Sequence, residues 1–182
     1  MRVVAGSAGG IQLAVPKHGV RPTMDRVKAA IFSSLAHRIP GARVLDLFAG
    51  TGALGIEALS RGAAFAVFVD QDRQSTLVIE KNLAKTKLEG RVRQQEVFRF
   101  LEQAGAREKF DVIFADPPYD KMETGESFTD KLLANQRLAD LLGPGGVFVL
   151  EKRPNEAVTS THHWTVVRQK AYGATEVLFL QK

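Results

Sequence analysis

Cysteine is absent from the 182 residues. Its absence excludes disulfides, thiolate metal sites and a cysteine nucleophile. Long apolar runs are missing as well: none reaches the roughly 18 residues that a membrane-spanning helix requires. Met1 to Pro16 lacks a compact apolar stretch ending in a small-residue cleavage site, so no signal peptide is expected and the cytoplasm is the expected compartment. There is no internal repeat and no low-complexity tract. The four histidines show no metal-ligand spacing, so no metal is expected. The single tryptophan, Trp164, and most of the eleven phenylalanines are expected in the core rather than as base platforms.

Acidic residues are scarce at one end of the chain. Residues 1–43 hold seven basic side chains (Arg2, Lys17, Arg21, Arg26, Lys28, Arg38, Arg43) against one acid, Asp25. The remainder is nearly neutral, so the net charge of +5 arises at the N-terminal end. On charge alone, a solvated basic face accounts for this as well as a phosphate-binding appendage that gains affinity by displacing counterions from a polyanion. A hydrophobic fraction of 45% and a charged fraction of 25% suit a soluble chain large enough to bury its own core.

Arg2–Gly6 and Ile11–Val15 read as short strands around the glycine-rich Gly6–Gly10, a plausible hairpin. Thr23 is a candidate N-cap for a helix carrying Val27, Ile31 and Leu35 at helical spacing, closed by Pro40-Gly41. From residue 41 strands alternate with helices. The strands are Val44–Phe48, Phe65–Val69, the more polar Arg91–Gln95, Phe110–Ala115 and Val147–Glu151; the helices are Ala53–Arg61, Arg73–Lys85, Val97–Gln103 and one over Thr129–Leu142. Leu142–Gly146 reads as a sharp turn, and Trp164–Lys170 with Thr175–Leu180 as a closing antiparallel pair. Such alternation predicts an α/β domain, a mostly parallel sheet with helices on both faces. Ligands on these sheets bind at the carboxyl ends of the strands. The expected division is a basic hairpin-and-helix extension over 1–40 and a core over 41–182.

After the first strand comes Asp46-Leu47-Phe48-Ala49-Gly50-Thr51-Gly52-Ala53-Leu54-Gly55. Gly50 and Gly52 allow a tight turn and a close approach of backbone to a ligand. The glycine spacing matches the dinucleotide fingerprint superficially, a weak signal by itself. Asp46, four residues before Gly50, suits a cationic ligand better than a pyrophosphate. S-adenosylmethionine, with its ammonium and sulfonium, is such a ligand. Asp70, at the end of the second strand, can accept from ribose hydroxyls, as it could in a dinucleotide site; the lesser alternative is a surface carboxylate beginning a helix, since Asp70 and Asp72 flank a helix start.

After the fourth strand comes Asp116-Pro117-Pro118-Tyr119. Two prolines stiffen the backbone and remove two N–H donors, leaving carbonyl acceptors. An exocyclic amine on a nucleic-acid base is a poor nucleophile, because its lone pair is delocalised into the ring. If Asp116 and the Pro117 carbonyl each accept one N–H, the nitrogen is held and its lone pair can point at a sulfonium methyl. Tyr119 could stack on the base.

Asp-Pro-Pro-Tyr is the signature of amino-methyltransferases, and Asp46–Gly52 resembles motif I of that class. Arg21-Pro22-Thr23-Met24-Asp25-Arg26-Val27-Lys28, Gly52–Ala63 and Tyr172-Gly173 are similar to the RsmD family, and the likeness runs nearly end to end. This resemblance implies the class I, Rossmann-like methyltransferase fold with seven strands, the last antiparallel. It implies S-adenosylmethionine-dependent methylation of the N2 amine of a guanine in 16S ribosomal RNA, on an assembled or assembling small subunit, by a monomer. By position it implies a cofactor site lined by Asp46, Phe48, Ala49, Gly50, Thr51, Gly52 and Asp70, closed by Arg21, Pro22 and Thr23. Glu96 stands where the family has Asp or Asn beside the adenine, and Val97 where Ala is common. Ala8-Gly9-Gly10-Ile11 lacks the basic residues found there in the family, which shifts the expected RNA contacts to Lys17, Arg21, Arg26 and Lys28.

Two other functions share parts of this pattern. A DNA adenine-N6 methyltransferase would use the same Asp116–Tyr119 chemistry, but such enzymes need an added region to read base edges and this chain has no spare length for one. A non-catalytic RNA-binding assembly factor could keep the fold, but its catalytic loop need not stay intact.

Overall fold

The computed structural model describes residues 1–15, 25–105, 107–119, 125–158, 161 and 163–182. The expected alternation appears as α1 (Asp25–Leu35), a 3-10 turn (Ala36–Arg38), β1 (Arg43–Leu47), α2 (Ala53–Ser60), β2 (Phe65–Asp70), α3 (Arg73–Thr86), β3 (Arg91–Gln94), α4 (Val97–Gln103), β4 (Phe110–Ala115), α5 (Phe128–Ala134), α6 (Gln136–Leu141), β5 (Leu142–Lys152), β6 (Thr165–Tyr172) and β7 (Thr175–Gln181). The seven strands form one sheet in the order β3-β2-β1-β4-β5-β7-β6. β1 to β5 run parallel, and β7 lies antiparallel between β5 and β6. Strand order reverses between β1 and β4, which places a cleft beyond their carboxyl ends.

Side chains on successive strand residues point to opposite faces, so the central strands, covered on both, are mostly apolar, with Asp46 a buried exception in β1. Val44, Val112 and Phe114 pack on one face with α1, α2 and α3; Leu45, Leu47, Ile113 and Ala115 pack on the other with α4, α5, α6 and Trp164. Val3, Ala8 and Leu13 belong to the first of these clusters, so the N-terminal segment shares the core of the sheet. It covers α2, every residue of which is buried. Packing is tight there: a β-carbon on Gly55 would stand 2.3 Å from Phe68 Cε1, so this helix lies flat on β2 only because position 55 lacks a side chain.

Several boundaries differ from the sequence expectation. The N-terminal strands reduce to one bridge, Arg2 with Gln12, supported by backbone bonds such as Val3 N–H to Ile11 O at 3.0 Å. The helix expected over Thr129–Leu142 is two helices, because Asn135 adopts an extended conformation (ψ 107°) and caps α6 by accepting from Leu138 N–H at 2.9 Å. The expected turn over Leu142–Gly146 lies within β5: Leu142 already pairs with Phe110, the intervening glycines bulge, and the ladder resumes at Val147 opposite Val112. Trp164 precedes β6 rather than starting it, because its ring is buried against Phe148 and its indole N–H donates to Leu133 O at 3.1 Å. Thr23, the expected N-cap of α1, lies outside the described residues. No helix among the described residues is long and apolar enough to cross a membrane.

Candidate active site

The loop after β1 is built by backbone bonds that only a few residues tolerate. Ala49 N–H donates to Val69 O at 3.1 Å and Gly52 N–H to Ala49 O at 2.7 Å, closing a turn between β1 and α2. Phe48, Gly50 and Gly52 have φ values of 55°, 55° and 76°, the left-handed region that favours glycine. Gly52 is doubly constrained, since a β-carbon there would stand 3.2 Å from both Ile56 and Ile79.

Carboxylates fix the loop from beneath. Asp46 is buried, and its Oδ2 accepts from Gly55 N–H at 2.9 Å. Burial pushes its carboxyl up to about 8; the Gly55 hydrogen bond opposes the shift, while Asp116 and Asp70 add to it. Asp70 bridges β2 to the loop: Oδ2 accepts from Gly50 N–H at 2.8 Å and Oδ1 from Asp72 N–H at 2.9 Å. Burial also raises Asp70, against the pull of the two backbone N–H groups. The helix-opening alternative considered for Asp70 belongs to its neighbour, because Asp72 caps α3 by accepting from Ser75 N–H.

Glu96 spends both oxygens on the start of α4, accepting from Phe98 N–H at 3.0 Å and Arg99 N–H at 2.8 Å. Its longer side chain folds back as a cap, and Val97 beside it is buried. An aromatic wall stands at this side: Phe48 meets Phe128 edge-on at 5.6 Å, and Phe128 stacks on Phe98 at 6.3 Å.

The Asp116–Tyr119 loop follows β4, which neighbours β1 in the sheet, Leu47 lying opposite Ala115. Both loops therefore leave the carboxyl end of the sheet side by side. Asp116 and Tyr119 are half-buried, Pro117 is buried and Pro118 exposed. The Tyr119 hydroxyl lies 3.1 Å from Thr175 Oγ1, which lies 3.3 Å from Glu151 Oε2, and the Arg153 guanidinium stands 5.3 Å from the centre of the Tyr119 ring. The ring is thus held at its hydroxyl and covered by a cation on one side.

One expected RNA contact is corrected. Lys28 is fully buried: its ammonium pairs with Glu57 at 3.3 Å and donates to Arg2 O. It has no surface to offer a phosphate; its role is to tie α1 to α2. Arg26 is exposed. Lys17, Arg21, Pro22 and Thr23 lie outside the described residues. Phe128, Thr175 and Asn82 went unnoticed in the sequence. Asn82 alone left a signal, a polar residue at helical spacing between Ile79 and Thr86 on the buried face of α3.

The family model described as "Conserved hypothetical protein 95" matches residues 1–181. The Ribosomal RNA small subunit methyltransferase D of Escherichia coli (strain K12) is 36% identical over 184 residues, spanning 100% of this chain and 90% of that one. The chain belongs to the RsmD family. YlbH of Bacillus subtilis (strain 168) is 38% identical over 190 residues, spanning 100% and 99% of the two chains. Among solved structures, a hypothetical protein of Thermus thermophilus matches this RsmD-family chain with a TM-score of 0.85 at 32% identity, covering 100% of this chain and 99% of that one.

The residues present fit the methyl donor of such enzymes. A tight left-handed turn at Gly50 and Gly52, a buried carboxyl that gains from a nearby positive charge, and a second carboxylate at the end of β2 form a donor set matched to a cationic nucleoside. Among the described residues no cluster of His, Cys, Asp or Glu is suited to a metal ion.

Proposed function

We propose that this protein methylates the N2 amine of a guanine in 16S ribosomal RNA, using S-adenosylmethionine, within an assembled or assembling small subunit. The observation that carries this reading is the emergence of the Asp46–Gly55 and Asp116–Tyr119 loops from the carboxyl ends of two neighbouring parallel strands at the centre of the sheet. Family membership and the relatives named for ribosomal RNA support the substrate class. The protein acts in the cytoplasm as a monomer, and its N-terminal 1–40 region engages RNA through Lys17, Arg21 and Arg26.

The bound donor supplies an electrophilic methyl group. Asp46 and Asp70 hold the donor's polar groups, the backbone at Gly50 and Gly52 gives it room, and Arg21, Pro22 and Thr23 close over it. Val97 and the Glu96 backbone border its base. The Asp116 carboxylate and the Pro117 carbonyl each accept one N–H of the guanine amine. That grip directs the nitrogen lone pair toward the methyl and removes freedom that would otherwise oppose reaction; such positioning contributes about 7–11 kcal/mol in well-oriented systems. The target base is unstacked to reach the pocket. Tyr119 then stacks on it, at about 1–3 kcal/mol.

Labelled S-adenosylmethionine, offered with small-subunit particles from a strain lacking the enzyme, should deliver label to one guanine of 16S RNA. Label found only in DNA would overturn the RNA assignment. Asp116→Ala should lower kcat by about 10²-fold or more while donor binding persists. Unchanged transfer would remove this loop from the chemistry, whereas no transfer by the unaltered protein with RNA binding retained would leave the assembly-factor reading in its place.

A further inference from the structure

A single buried side chain joins the glycine loop to the N-terminal segment. Asn82 of α3 has no exposed surface. Its Oδ1 accepts from Ala14 N–H at 2.7 Å, and its Nδ2 donates to Ala14 O at 3.0 Å and to Thr51 O at 3.0 Å. Toward Ala14 the side-chain amide therefore behaves as a neighbouring peptide group would, pairing with both its donor and its acceptor. With its second N–H it holds the carbonyl immediately before Gly52. Two nearby contacts repeat the connection: Lys85 donates to Gln12 O at 2.6 Å, and the Thr51 hydroxyl meets Met1 Sδ at 3.4 Å. Ile79, one turn before Asn82, packs against the space a β-carbon on Gly52 would need.

We propose that Asn82 is a positioning residue for the methyl-donor site, coupling the geometry of the glycine loop to the docking of residues 11–15. The inference rests on the reading that this loop takes S-adenosylmethionine. All three hydrogen bonds of the clamp go to backbone, so the side chain has one arrangement that serves both partners. A shift of the Thr51 carbonyl on donor binding must be transmitted to Ala14, or one of the bonds is lost and a buried polar group is left unpaired.

Asn82→Asp keeps the size and the acceptor for Ala14 N–H but replaces both donations with an oxygen facing two carbonyls. The dissociation constant of S-adenosylmethionine, measured by calorimetry, should rise by about tenfold or more. At saturating donor, kcat should stay within about threefold of the parent, since the loss falls on donor binding rather than on the methyl-transfer step. In the unaltered protein, amide exchange at Ala14 should slow when S-adenosylmethionine is added, and this response should vanish in the variant. A lowered melting temperature with an unchanged dissociation constant would make Asn82 a packing residue and overturn the proposal. Should the variant fail to fold, exchange in the unaltered protein decides: protection confined to the loop, with Ala14 unaffected, overturns it. Absence of any donor binding by the unaltered protein would instead sink the functional reading on which the coupling depends.

Discussion

Asp46 keeps its proton up to about pH 8 in the unliganded fold, since desolvation and the neighbouring Asp116 and Asp70 all disfavour its charge. In the unfolded chain the same group ionises near 3.8. Between those values the folded state binds more protons at this group, so its contribution to stability declines as pH rises from roughly 4 to 8 and levels off above, while Asp72 and Glu176, both lowered, contribute in the opposite sense at acidic pH. A cationic donor reverses the preference by favouring the carboxylate. Its affinity should therefore strengthen with pH by up to about tenfold per unit until pH 8, with a proton released on binding. Asp46→Asn should weaken binding and flatten this dependence, as calorimetry in buffers of different ionisation enthalpy would show. Asp70 is raised in the same direction, so the variant should retain a shallow residual slope.

Much of the site was legible residue by residue, because glycines and prolines declare backbone requirements openly. Gly50, Gly52 and Asp116–Tyr119 occupy the places that their order along the chain and the strand-end rule predicted. What stayed hidden depends on three-dimensional neighbours. Lys28 belongs to a basic segment, and nothing local says that Glu57, 29 positions later, will bury it. Likewise nothing in the sequence around Glu96 says that its two oxygens accept from Phe98 and Arg99 N–H and cap α4.

At the scale of elements, α2 is the beam on which the N-terminal segment rests. Glu57, at its centre, accepts from Val4 N–H at 2.7 Å and Ala5 N–H at 3.0 Å, and pairs with Lys28 and Arg61. One carboxylate thus serves a strand-like segment, α1 and its own helix. Glu57→Gln takes the paired carboxylate away from the buried Lys28 ammonium, and should lower the unfolding free energy by about 3–5 kcal/mol in urea titrations. Adding Lys28→Met removes the stranded charge and should recover a substantial part of that loss. Element boundaries were the least readable level. The chain around Asn135 has helical composition on both sides, and only its extended backbone and its side-chain cap divide α5 from α6. The glycines of 143–146 signal a turn in sequence; they instead form a bulge, because β4 offers a partner at Phe110 before it as well as at Val112 after it.

For the whole molecule, the N-terminal segment and the sheet share one hydrophobic cluster, so thermal unfolding should be a single transition. S-adenosylmethionine at a hundredfold excess over its dissociation constant stabilises the folded state by about 2.7 kcal/mol. For a chain of this length the melting temperature should rise by roughly 5–11 °C. Differential scanning calorimetry that resolved two transitions, with only the later one shifted, would show that the segment unfolds independently.

One margin of the sheet is finished differently from the rest. β6 is terminal, and from Thr165 to Ala171 its side chains are exposed, Val167 at 51%. Among the described residues no strand pairs with its outer side, and such a border offers peptide groups to a passing strand, a second copy included. Its charged side chains, Arg168 and Lys170, carry one sign. Two such borders approaching each other meet like charge against like charge, so the molecule discourages its own polymerisation while the valines stay uncovered. Crowded solutions rich in multivalent anions would mute that repulsion, and there this seam is where self-adhesion would begin.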